Sequence, residues 1–235
     1  MRLISLILLF LLSGTVSAQK VEWYTTTQTS PWVKQKVKPE RVTTGAEIVL
    51  DPTLRLQLIM GIGGCFNEMG WDALNALSAE DREAVLQAIF SKDGACFNYC
   101  RLPMGANDFA LSFYSSADVA GDFNLVNLNI DRDRYILIPY IKAARQINPD
   151  LRIWASPWCP PAWMKTNNHY ASAVRPSGEK DVNGLLPREA ITEFSTGFRM
   201  EEGYLKTYAD YFARFIKAYE AEGLPLECIH VQNEP

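Results

Sequence analysis

Ile229-His230-Val231-Gln232-Asn233-Glu234-Pro235 sets a short apolar run directly against an amide, a carboxylate and a proline. Residues Glu227 to Gln232 read as a strand whose end delivers Asn233 and Glu234. The segment before it reads as a helix. From Glu201 to Ala221, the aromatics Tyr204, Tyr208, Tyr211, Phe215 and Tyr219 step by three or four, which places them on one helical face. Gly223 and Pro225 then end that helix.

The same alternation continues toward the N-terminus. Leu151 to Ala155 reads as a strand, and before it Asp131 could cap a helix with the stripe Tyr135, Ile138, Ile141 and Ile147. Pro139 lies inside that stripe and predicts a break or kink. Phe97 to Leu102 is a further strand. Ser78-Ala79-Glu80-Asp81 resembles a capping box, followed by Ala84, Val85, Ala88 and Ile89 at helical spacing. Leu56 to Ile62 reads as a buried strand stopped by Gly63-Gly64. Four strands alternating with helices imply parallel βα units. A (β/α)8 TIM barrel takes about 250 residues, so four units correspond to half of one. Residues 51–235 are therefore expected to form the first half of an α/β barrel. Residues 19–50, rich in Thr, Val and Tyr and broken by Pro31 and Pro39, predict short strands and turns. The connections after the second and third strands are long, and they leave from the strand ends where such a barrel builds its active site.

The bulk properties exclude several classes. The formal net charge is −4, with basic residues scattered among acids, so no nucleic-acid partner is expected. Arg2, the apolar stretch Leu3 to Leu12 and Val16-Ser17-Ala18 read as a signal peptide over residues 1–18, cleaved on export; an uncleaved anchor is the alternative. The stretch is shorter than the roughly 20 residues of a spanning helix, and no second span follows. Five cysteines, Cys65, Cys96, Cys100, Cys159 and Cys228, cannot all pair and lack zinc spacing. Export permits a disulfide, but strand-like positions favour small buried apolar groups. The two histidines, His169 and His230, form no HExxH pair, and metal catalysis is not expected.

Four segments carry candidate chemistry. Gly61-Ile62-Gly63-Gly64-Cys65-Phe66 fails the dinucleotide fingerprint, because Phe66 stands where a small residue belongs; the glycines more simply allow a tight turn. Arg101, on an apolar strand, either pairs with a carboxylate or reaches solvent at the strand end. Asp108, in the following loop, either accepts hydrogen bonds from sugar hydroxyls or is an ordinary turn residue. Trp154 to Lys165 holds three tryptophans, Trp154, Trp158 and Trp163, and three prolines. Prolines lower the ordering entropy of a loop, and indoles can stack on a pyranose or donate through N–H. Trp154 is expected to be core packing. Finally, Asn233 can donate to and accept from sugar hydroxyls, and Glu234 can protonate a leaving oxygen and then deprotonate water.

The ordered set Gly61-Ile62-Gly63-Gly64, Arg101-Leu102-Pro103-Met104, Asp108-Phe109, Ala155-Ser156-Pro157-Trp158, Trp163-Met164-Lys165-Thr166-Asn167 and Gln232-Asn233-Glu234-Pro235 resembles glycoside hydrolase family 30, over about residues 55–235. That family includes lysosomal glucosylceramidase and β-1,6-glucanases. The resemblance implies a TIM barrel fused to a side β-sandwich, to which residues 19–50 would contribute strands. It implies that Glu234 is the acid/base, that Asn233 binds the 2-hydroxyl near the nucleophile, and that Asp108 and Trp158 hold the non-reducing glucose. It implies that Arg101 supports the nucleophile. Retaining enzymes need two carboxylates about 5–5.5 Å apart. The family's nucleophile is a Glu after strand seven, and it is expected to be missing here along with strands five to eight; the resemblance assigns no such role to Glu68 or Glu80. The implied substrate is a carbohydrate or glycolipid, either a β-1,6-glucan or a glucosylceramide-like β-glucoside, with no metal or organic cofactor. A β-xylanase within the family, and a non-catalytic fragment or glycan-binding half barrel without turnover, are the alternatives.

Overall fold

The computed structural model describes residues 21–38, 45, 51, 53–174, 183–192 and 195–233. The expected leader over residues 1–18 and Glu234 lie outside the described residues. The chain forms two compact units, residues 1–56 and 57–235. In the first, β1 (Trp23–Thr25) and β2 (Val33–Gln35) pair antiparallel, with Tyr24 opposite Lys34. Tyr24 and Trp32 stack across the hairpin at 5.3 Å between ring centroids.

The second unit is built on three parallel strands: β3 (Tyr99–Pro103), β4 (Arg152–Ser156) and β5 (Cys228–Ile229), side by side in chain order. One sheet face carries Cys100, Leu102, Ile153 and Ala155, all buried. It joins a core with Leu137, Ile141, Ala144, Phe215 and Tyr219. Each large aliphatic side chain removed from water there contributes about 1.5–3 kcal/mol. The other face carries Tyr99, Arg101, Trp154 and His230, none fully buried. This alternation fixes which side faces the helices and which holds chemistry. Although β5 is short, its edge continues to follow β4: the N–H groups of Glu227, His230 and Asn233 donate to the carbonyls of Ile153, Ala155 and Pro157 at 2.8, 2.9 and 3.0 Å.

The first expected strand is displaced. Leu56, Leu58 and Ile59 are 78%, 82% and 74% exposed and lie outside any strand. Pairing with β3 begins only at Ile62, whose carbonyl accepts from the Asn98 and Tyr99 N–H groups. It continues as Arg101 N–H to Gly64 O and Phe66 N–H to Arg101 O, both 2.9 Å. Cys65 bridges Arg101 in parallel register. Gly63 therefore does not stop the strand but lies inside the paired segment. A Cβ on Gly63 would collide with the Tyr99 carbonyl oxygen, and one on Gly61 would stand 2.5 Å from Tyr99 Cβ. Only glycine permits so close an approach.

Two helices precede β3. α1 (Glu68–Asn75) is not evident in the hydrophobic pattern; Asn67 caps it, accepting from Gly70 N–H at 2.7 Å. α2 (Ala79–Phe90) begins at Ser78 as expected, but only half the capping box forms. Ser78 Oγ accepts from Asp81 N–H at 3.0 Å and donates back to the Asp81 carboxylate at 2.7 Å. Its buried residues are Leu86 and Phe90, whereas Ala84, Val85 and Ala88 are exposed. The packed stripe is rotated from the expected one. Between β3 and β4 the break predicted from Pro139 appears. α3 (Asp131–Tyr135) stops, Ile136 departs from helical geometry, and α4 (Leu137–Ile147) begins with Pro139 in its first turn, where a missing N–H does no harm. Asp131 is the first residue of α3 rather than its cap, and Tyr135 is 82% exposed rather than part of the stripe.

α5 (Glu202–Ala221) buries Tyr211, Phe215 and Tyr219 completely. It ends in a Schellman motif: Gly223, at φ +77°, donates to Glu220 O, and Leu224 donates to Tyr219 O. All five cysteines are free thiols. Cys100 and Cys159 are buried as expected, but Cys228 is exposed on the open sheet face, 3.6 Å from the Tyr99 hydroxyl. Among the described residues no helix is long and apolar enough to cross a membrane.

Candidate active site

The polar cluster lies where β3, β4 and the segment after β5 end. Arg101 projects from the open face of β3. Its Nε donates to Ser156 Oγ at 2.8 Å, and one terminal nitrogen donates to both Ser156 Oγ and Asn233 Oδ1, the latter at 2.7 Å. The guanidinium also lies 3.8 Å from the Trp158 ring centroid and 5.1 Å from that of Trp154. Cation–π attraction and charge-assisted hydrogen bonds thus hold Arg101 in one geometry. It is half-buried and does not simply reach solvent from a strand end. Burial pushes the Cys65 thiol up to about 11, and the nearby Arg101 charge pulls it the other way.

Asn233 is placed by its backbone as well as by its side chain. Its N–H donates to Pro157 O at 3.0 Å, and Gln232 Nε2 donates to Trp158 O at 3.3 Å. Arg101, Trp158 and Asn233 therefore form one contact set, with Ser156 as an additional member that sequence reasoning did not single out. Trp158 is half-buried and gives one face of its indole to Arg101. The expectation that Trp154 is core packing is corrected. Trp154 is half-buried, beside Arg101 and 4.5 Å from the His230 ring, while Trp163 is the packed indole, donating to Ala117 O at 2.8 Å. Position on a strand does not decide burial; the face does, and Trp154 shares the open face with Arg101.

Asp108 stands apart from this set, exposed at the tip of the loop after β3. The buried Asn107 shapes the tip by accepting from Phe109 N–H at 2.8 Å. The loop is fastened from below by a pair that the sequence did not reveal. Glu68, on α1 and 2% exposed, receives Arg132 Nε at 2.6 Å, a second Arg132 nitrogen at 2.7 Å and Leu111 N–H at 2.7 Å. Behind it, buried Asp133 accepts from the hydroxyls of Tyr114 at 3.0 Å and Tyr219 at 2.7 Å. Burial raises Asp133 to about 6, against the two tyrosine hydrogen bonds that favour its charged form.

The loop after β4 is also anchored internally. Buried Lys165 donates to Tyr170 O at 2.7 Å and Ser172 Oγ at 3.0 Å, and burial holds its ammonium below the usual lysine range. Tyr170 links the two loops by donating to Ala106 O at 2.7 Å. Among the described residues, no three His, Cys, Asp or Glu side chains converge on a metal-sized site.

Parallel strands alternating with helices, with polar side chains gathered at the strand ends, are the arrangement found in α/β barrels, which place their chemistry on their C-terminal loops. Residues 59–184 match the glycosyl hydrolase family 30 TIM-barrel domain. The chain belongs to that family, and its fold is the α/β TIM barrel. A Caenorhabditis elegans relative with the provisional name glucosylceramidase 4 is 30% identical over 226 residues, covering 94% of this chain and 40% of that protein. The lysosomal acid glucosylceramidase of Mus musculus is 29% identical over 201 residues, 85% of this chain and 35% of that protein. A solved endo-beta1,6-glucanase superposes with a TM-score of 0.63 at 27% identity, over 90% of this chain and 42% of that one. The chain thus spans 40% or less of the length of these curated relatives.

Proposed function

We propose that this chain supplies the first four βα units of an exported retaining β-glycosidase, acting on β-glucosides. In this reading Glu234 is the general acid/base. Asn233 binds the hydroxyl next to the reacting carbon, Asp108 and Trp158 hold the non-reducing glucose, and Arg101 supports a nucleophilic Glu contributed from beyond these units. The hairpin of β1 and β2 belongs to a side β-sandwich. The observation that carries the reading is the Arg101 guanidinium bonded to both Ser156 and Asn233. It gives the residue adjoining Glu234 a fixed position, next to a cation that favours an ionised carboxylate.

The chemistry follows from a carboxylate pair. The nucleophile attacks the anomeric carbon while protonated Glu234 donates to the leaving oxygen. Glu234, now ionised, then takes a proton from water, and the sugar leaves with retained configuration. One carboxylate cannot perform both roles, so the reaction needs a second carboxylate beside Glu234. Family relatives supply the two substrate classes: a glucosylceramide-like lipid glucoside and a β-1,6-glucan.

The test uses the reading frame extended past Pro235 through the remaining barrel units. It is assayed on an aryl β-glucoside and on β-1,6-glucan beside Glu234→Gln. Loss of general acid/base function should lower kcat by about 10²–10⁴-fold. Unchanged turnover in Glu234→Gln would remove Glu234 from the mechanism.

A further inference from the structure

Ser156 closes β4 opposite Pro103, and its carbonyl accepts from Met104 N–H at 2.9 Å. By alternation its side chain belongs to the open face, with Arg101 and Trp154, yet it is fully buried. The proposed mechanism gives it no part. A serine hydroxyl has two acceptor sites and one hydrogen. Arg101 takes both acceptor sites, through Nε at 2.8 Å and through a terminal nitrogen. The serine hydrogen is therefore turned away from the guanidinium.

That terminal nitrogen carries two hydrogens. One goes to Ser156 Oγ and the other to Asn233 Oδ1, at 2.7 Å. Trp158 restrains the same group differently. The ring attracts the cation and sets its height, 3.8 Å from the centroid, but leaves it able to turn over the ring. Two donors on one serine oxygen remove that freedom, because both reach it at only one rotation. In that rotation the remaining hydrogen of the terminal nitrogen points at Asn233.

The consequence falls on the Asn233 amide, which is half-buried. A guanidinium has donors and no acceptor, so only Oδ1 can face it. Nδ2 then lies on the side of the amide away from Arg101 and presents its N–H groups there. We infer that Ser156 is a positioning residue: its hydroxyl sets the rotation of Arg101 and, through it, commits the Asn233 amide to donate from Nδ2, so that the hydroxyl next to the reacting carbon is recognised as an acceptor. This inference rests on the role proposed for Asn233.

The experiment compares kcat/KM of the extended protein on an aryl β-glucoside and on its 2-deoxy counterpart. Ser156→Ala removes the acceptor, and Ser156→Cys keeps the shape but accepts only weakly through sulfur. In both, the ratio of glucoside to 2-deoxyglucoside should fall about three- to tenfold, the worth of one hydrogen bond. Asn233→Ala should lower the ratio by a similar factor, and adding Ser156→Ala to it should lower it no further, because the two act through one bond. A ratio that stays at the wild-type value while both substrates slow equally, or factors that multiply in the double variant, overturns the inference. The crystal structure of the extended Ser156→Ala protein should show Arg101 turned over Trp158 and its bond to Asn233 Oδ1 lost. If the wild type hydrolyses neither glucoside, the glycosidase reading falls, and the position of Arg101 in that crystal decides the inference by itself: an unmoved guanidinium, still bonded to Asn233, overturns it.

Discussion

Replacing Asp133 by asparagine should change how stability depends on pH. Asp133 is 1% exposed, between the Tyr114 and Tyr219 hydroxyls, with Glu68 and Arg132 as neighbouring charges. Burial raises it to about 6 from an ordinary 3.8. Below about pH 4 both folded and unfolded chains hold the proton, and above about pH 6 neither does. Between these limits only the folded chain holds it, so lowering the pH from 6 to 4 stabilises the fold. A separation of roughly two units corresponds to about 3 kcal/mol. The amide of Asp133→Asn has no proton to exchange in this range, so the contribution vanishes in the variant. Urea unfolding of the extended protein and of Asp133→Asn at pH 4, 5, 6 and 7 measures the difference at each pH. The wild type should gain about 2–3 kcal/mol on the variant between pH 7 and pH 4. A difference that stays flat across this range, or that grows as the pH rises, would refute the argument.

Other consequences follow from the same contacts. Glu68→Ala leaves the Arg132 charge without its partner; because Arg132 is 30% exposed, water offsets part of the loss, and the drop in unfolding free energy should be about 2–3 kcal/mol. Protease cleavage within residues 108–113 should accelerate in that variant, and a stability change below about 0.5 kcal/mol would contradict the anchoring role. Arg101→Lys keeps the charge but cannot span Ser156 and Asn233 while lying flat on Trp158. Its kcat/KM on an aryl β-glucoside should fall about 10- to 100-fold, with the circular dichroism spectrum unchanged. Activity within twofold of wild type would show that the fork geometry is dispensable.

The sequence discloses most readily what depends on period. α5 was legible because its aromatics repeat at helical spacing over twenty residues, and β3 and β4 because short apolar runs lie between loops. The interruption before α4 was legible from Pro139 alone, since a missing N–H has a local effect. The misread elements depend on what packs against them. Leu56 to Ile62 is as apolar as a strand, yet pairing starts only at Ile62, where glycines let the backbone approach β3. Val85 and Leu86 are both apolar, and only tertiary contact determines that Leu86 is the buried one.

The candidate site divides in the same way. Arg101, Trp158 and Asn233 stood out as polar or aromatic groups at strand ends, and their mutual contacts are seen in the structure. Asp108 was legible as a loop carboxylate, but not the means by which its loop is held. Glu68 and Arg132 are 64 positions apart, on different helices, so no spacing rule could pair them. Ser156 does not stand out in the sequence, because a serine beside a proline usually reads as turn chemistry. Its hydroxyl instead accepts from Arg101.

The close approach of residues 61 to 64 to β3 has an evolutionary and practical corollary. Gly61 and Gly63 alternate along an extended segment, so both point at Tyr99, whereas a Cβ on Gly64 would meet only the Phe97 ring, at 3.3 Å. A saturation library over this stretch should therefore read out as a comb. Nearly every substitution should be depleted at 61 and 63, while small residues survive at 64. The glycines here act as a gauge block between two backbones, and lineages that change this stretch should do so by moving Tyr99 first.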